Sequence, residues 1–309
     1  MPLTPETILI ALGGLFLFAG SVACCIWAIH TLATKGQLLA SAYRRPVPWS
    51  GPATFLIVLS SFVVSFAPAV MVLFPEQTSL FSPDVSTTQD PLDGAAETEV
   101  ATNELMAPEQ FSSFLLWDSA FKVMFTVVTG TVLMLGLKAT TADLGLTARF
   151  FDRDVITGVL TFGIILIPIG ALNVVLSLIV DPKSEHPILD MLKNADTPWH
   201  VWGTSILAAV IIAPLVEEFL FRGIFQGYLE RRFGQQSWLP IVISSVFFAT
   251  VHFNGDSPAP IPLFFFALGL GYLYRQTHRL WPCIVLHFCL NALSISVMWL
   301  VSRNPDFPQ

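Results

Sequence analysis

The chain has 309 residues, of which 54% are hydrophobic and only 12% charged, and its mean hydropathy is +0.68. Soluble globular domains carry roughly 25% charged residues, so composition places this chain in a membrane and excludes an ordinary water-soluble enzyme. Eight acidic residues of a chain with net charge −7 fall in 75–110, which holds no Lys or Arg; without a basic patch to displace counterions, nucleic acid is not an expected partner.

A spanning helix needs about 20 mainly apolar residues. About eight such stretches recur between polar breaks, so the sequence predicts an all-α, polytopic bundle of transmembrane helices. The first four lie near 7–33, 52–74, 111–137 and 155–180; the second four lie near 201–229, 238–253, 261–274 and 281–301. The opening MPLTPET lacks a basic n-region, and the apolar run after it is too long for a signal peptide, so the first stretch is expected to be a retained membrane helix. Residues 1–150 read as N-terminal membrane helices carrying the acidic loop 75–110, and residues 151–309 as a second set of membrane helices.

Cys24 and Cys25, like Cys283 and Cys289, sit in apolar runs without zinc-site spacing, and read as small buried hydrophobes. Asp118 and Lys122, four apart in the third stretch, read as an intramembrane ion pair. No internal repeat appears, which argues against a transporter of the inverted-repeat kind.

Short cytoplasmic loops retain Lys and Arg, and here they alternate. Lys35, Arg44 and Arg45 follow the first stretch; Lys138, Arg149 and Arg153 the third; Arg231 and Arg232 the fifth; Arg275 and Arg279 the seventh. These loops are expected in the cytoplasm. The acidic stretch 75–110, segment 181–199 and the NGDSPAP turn at 254–260 are expected outside, with Lys183 and Lys193 as exceptions. The acidic stretch, rich in Ser, Thr, Pro and Asp, reads as a mobile extracytoplasmic loop.

Ionisable groups inside spanning helices cost about 2.5–3.5 kcal/mol each, so they tend to face a cavity and to carry function. Within APLVEEFLFRG (213–223), Glu218 and Arg222 are four apart and share a helix face. Glu217 is rotated by about 100° from Glu218 and is left to meet another helix. His252 follows Phe248 by one turn, and His287 precedes Asn291 by one turn. Counted from the expected cytoplasmic ends, Glu217 and His252 each lie fourteen residues deep, or about 21 Å. His287 and Asn291 lie about 12 and 18 Å deep by the same rise. Polar groups from three helices thus converge in one layer. A Glu beside a His can orient and deprotonate a water, while His287 and Asn291 can present donors to an oxyanion.

These residues resemble the CAAX protease and bacteriocin-processing family of intramembrane endopeptidases. That family is marked by a double glutamate with an arginine four residues on, a phenylalanine four before a histidine, and a histidine four before an asparagine. All three elements occur in order here, within 213–291. The resemblance implies hydrolysis of a peptide bond in a membrane-associated protein or peptide. It gives Glu217 and His252 the role of activating water, His287 and Asn291 that of an oxyanion hole, and Glu218, Arg222 and Phe248 supporting roles. It makes residues 151–309 the catalytic membrane core; the loop charges and the depth of the site residues place access to the site on the cytoplasmic side, and a bacterial inner membrane is expected for this multi-pass protein. No cofactor or metal is expected. Zinc is the alternative within enzymes, although no H-E-x-x-H helix is present and the candidate ligands come from separate stretches. Outside enzymes the alternatives are a membrane scaffold or immunity-type protein, and an ion-coupled carrier using Glu217 as a proton site.

Overall fold

The computed structural model describes residues 5–42, 45–73, 107–179, 191–192, 196–253 and 260–303. The described residues contain eight helices and no strand, as expected for apolar segments whose backbone polar groups must be satisfied without water. We number them α1 (Pro5–Lys35), α2 (Gly51–Leu73), α3 (Pro108–Gly136), α4 (Phe151–Ile179), α5 (Trp199–Phe233), α6 (Leu239–Val251), α7 (Pro260–Thr277) and α8 (Trp281–Arg303). The expectations for residues 75–106, the 254–259 turn, Arg44, Lys183 and Lys193 lie outside the described residues.

Each helix falls on one of the apolar stretches. Five of them, α1 from Ile10 on, α3, α4, α5 and α8, are long and apolar enough to cross a membrane. α6, with 13 residues, rises only about 20 Å and falls short of a 30 Å hydrocarbon core. Proline starts α3 and α6, where its missing N–H costs nothing. Lys138 and Gly234, both at positive φ, end α3 and α5.

α5 is the centre of the bundle, with α3, α6 and α8 packed against it. α8 also lies along α4, and α1 covers the other side of α4. These contacts are close because the residues there are small: a Cβ on Gly158 of α4 would lie 2.7 Å from the Pro282 carbonyl of α8. Ser21 of α1 donates to the Gly163 carbonyl of α4. The Asp118–Lys122 ion pair forms within α3 at 2.7 Å.

The four basic loops meet at one end of the bundle. Arg45 makes a two-pronged bond to Asp143 of the α3–α4 connection. Arg279 clamps Asp154 at the start of α4 with bonds of 2.6–2.9 Å. Arg231 donates to the carbonyls of Val47, Pro48 and Trp49, and Leu280 donates to the Gly145 carbonyl.

The regular 3.6-residue helix assumed from the sequence is corrected in α5. Two π-helical segments, Ile206–Ile212 and Phe219–Gln226, flank a short α-helical piece, Ala213–Glu218. Such widened turns recur at functional sites, because they redirect side chains and free carbonyls.

Candidate active site

The adjacent glutamates sit at the end of the α-helical piece between the two π segments and point to different partners. Glu218 is fully buried, and its Oε2 lies 3.2 Å from Nε of Arg222, also fully buried. Its other oxygen, Oε1, lies 2.9 Å from Nδ1 of His287 on α8. Glu217 faces α6 instead, with its Oε2 3.6 Å from Nε2 of His252. Their side chains are 22% and 27% exposed, in contrast to the fully buried Glu218 and Arg222, although Oε2 of Glu217 itself is shielded from solvent.

Hydrogen-bond chemistry fixes the imidazole tautomers. Nδ1 of His252 lies 2.8 Å from the Phe248 carbonyl, which can only accept; Nδ1 therefore carries a proton. In neutral His252, Nε2 is then a lone pair turned toward the Glu217 carboxylate. Nδ1 of His287 likewise must donate, because Glu218, paired with Arg222, is an acceptor-only carboxylate.

Phe248 is the hub that packs these groups. Its ring centroid lies 4.5 Å from the His252 ring and 5.9 Å from the His287 ring, and Arg222 sits over its face at 5.1 Å. Phe266 of α7 closes the other side of His287 at 5.4 Å.

Asn291 takes a place the sequence did not suggest. Its Nδ2 donates to the Ala209 carbonyl at 2.7 Å. That carbonyl is free because of the first π segment: the Ala213 N–H bonds to Ala208, and Pro214 has no N–H to offer. One amide N–H of Asn291 thus ties α8 to α5, and the other remains.

Ser244 was missed by sequence reasoning. It accepts from Nη1 of Arg222 and donates to the Phe221 carbonyl, both at 3.2 Å. The available signal was spacing: Ser244, Phe248 and His252 stand four apart, the first two on one face of α6 and His252 just past its end.

A catalytic zinc takes three protein ligands. Glu217 and His252 form one pair, Glu218 and His287 another, and among the described residues no three His, Cys, Asp or Glu side chains converge on a point.

Residues 199–293 match the family model described as Rce1-like, type II CAAX prenyl endopeptidase. Neither the curated proteins nor the solved structures gave a match. The matched stretch holds α5 to α7 and the part of α8 carrying His287 and Asn291, and so every residue of the cluster. The part of this integral membrane protein that carries the cluster, residues 199–293, is therefore similar to the Rce1-like type II CAAX prenyl endopeptidases.

Proposed function

We propose that the protein is a glutamate-type intramembrane protease in which Glu217 and His252 activate the attacking water. The observation that carries this reading is the 3.6 Å separation of two acceptors, Glu217 Oε2 and His252 Nε2. With the His252 proton held on Nδ1, neither atom can donate to the other. A water between them donates one hydrogen to each and turns its oxygen lone pair outward, ready to attack a carbonyl carbon. As the C–O bond forms, Glu217 takes a proton, which then goes to the departing amine as the C–N bond breaks.

The tetrahedral oxyanion is assigned to His287 and Asn291. Asn291 has one N–H left for it. His287 has spent its Nδ1–H on Glu218, so it donates from Nε2 only as the imidazolium, whose charge the developing oxyanion itself offsets. Arg222, itself bonded to Ser244, holds Glu218 in place.

The substrate is a membrane-associated protein or peptide, with a prenylated CAAX-type terminus as the form to test first. We place the protein in a bacterial inner membrane with the site opening to the cytoplasm; the basic residues gathered at one end of the bundle support that orientation. The reaction needs no metal in this scheme. The test is cleavage of a prenylated peptide by the wild type and by Glu217→Gln.

A further inference from the structure

Trp49 lies in the short stretch before α2, far in sequence from the cluster and outside the matched residues. It is nevertheless fully buried, and its indole N–H donates to the Ile224 carbonyl at 3.1 Å. Ile224, also fully buried, belongs to the second π segment of α5, the same segment that carries Arg222.

A π turn is less favourable than an α turn, because its wider ring frees carbonyls that need outside donors. Two side chains donate into the second π segment: Ser244 to the Phe221 carbonyl, and Trp49 to the Ile224 carbonyl, which also accepts from the Gly227 N–H. Trp49 is itself held from behind. Nη1 of Arg231, one turn beyond the π segment, binds the carbonyls of Val47, Pro48 and Trp49 at 3.0, 3.1 and 2.8 Å. Arg45 anchors the same stretch to Asp143.

We propose that Trp49 is a positioning residue of the active site: its bond to Ile224 keeps the second π segment open, so that Arg222 points at Glu218, Ser244 and Phe248. This rests on the proposed function for its effect on rate, but not for its effect on structure. Relaxation of one π turn to an α turn rotates the adjoining part of the helix by about 100°. That rotation carries Arg222 off Ser244 and loosens the Glu218 carboxylate that orients His287.

Trp49→Phe keeps most of the buried ring and removes only the donor. In purified full-length protein, hydrogen exchange of the amides at 222–228 is expected to speed up about tenfold, a change of about 1.4 kcal/mol in opening. The thermal unfolding midpoint is expected to stay near wild type. Peptide cleavage is expected to show kcat about tenfold lower with KM within twofold, as for a mispositioned catalytic group. Arg231→Gln, which releases the 47–49 stretch without touching the indole, is expected to speed the same amides and serves if Trp49→Phe does not fold. Unchanged exchange at 222–228 in the folded variants overturns the proposal. A fall in kcat matched by an equal loss of folded protein also overturns it. Faster exchange with a wild type that cleaves nothing retains the structural part and rejects the proposed function instead.

Discussion

Glu217 Oε2 and His252 Nε2 face each other at 3.6 Å, while the other ring nitrogen of His252 is held on the Phe248 carbonyl at 2.8 Å. Two acceptors so placed attract a proton donor between them, and in the proposed reaction that donor is water. The neighbouring pair, Glu218 and His287 at 2.9 Å, is a donor on an acceptor and leaves no such gap. Two glutamates adjacent in sequence thus have unlike chemistry because they face different helices.

The two glutamates are expected to differ in stability as well as in activity. Glu218→Gln leaves the fully buried Arg222 without its counter-charge, which costs about 3–5 kcal/mol. Glu217→Gln removes a partly exposed carboxylate and is expected to cost less than about 1 kcal/mol. Thermal unfolding in detergent separates them. Equal destabilisation by both would assign Glu217 the packing role of a scaffold protein.

Asn291 is expected to contribute to the fold as well as to the reaction. Asn291→Ala removes the donor that satisfies the Ala209 carbonyl, at a cost of about 1–3 kcal/mol. Asn291→Asp cannot donate there when ionised, and is expected to destabilise at least as much. An Asn291→Ala protein with wild-type unfolding and lower kcat would mean that the Ala209 bond is dispensable.

Much of this was legible in the sequence, for definite reasons. The eight helices could be placed because hydropathy marks them, and the pairs 218/222, 248/252 and 287/291 because i to i+4 spacing sets neighbours on a helix. The two π segments were not legible, since neither propensity nor hydropathy distinguishes an i to i+5 bond from an i to i+4 bond. Pro214 was the one local hint, because its missing N–H frees a carbonyl one turn back. The partners of Asn291 and Trp49 are backbone carbonyls in those π segments, so no reading of side-chain periodicity could find them.

At the loop end of the bundle, stability is expected to depend on pH through Asp143. The Arg45 guanidinium holds its carboxyl well below the usual carboxylate range, against the upward push of burial, with the Thr140 N–H and hydroxyl adding to the lowering. A carboxyl with a lowered folded-state pKa stabilises fully above its unfolded value, near about 4, and loses that contribution as pH falls. Asp143→Asn is therefore expected to lower the unfolding midpoint at pH 7, with the gap to wild type shrinking below about pH 4. A gap that stays constant into acid would assign the effect to packing and not to charge.

The most direct measurement is cleavage of a fluorogenic prenylated CAAX peptide by purified wild type and Glu217→Gln, each with and without a zinc chelator. The account predicts that wild type cleaves equally well with chelator. It predicts that Glu217→Gln, folded with a near-normal unfolding midpoint, is slower by about a thousandfold. A folded Glu217→Gln that keeps the wild-type rate, or a wild type silenced by the chelator, would contradict it.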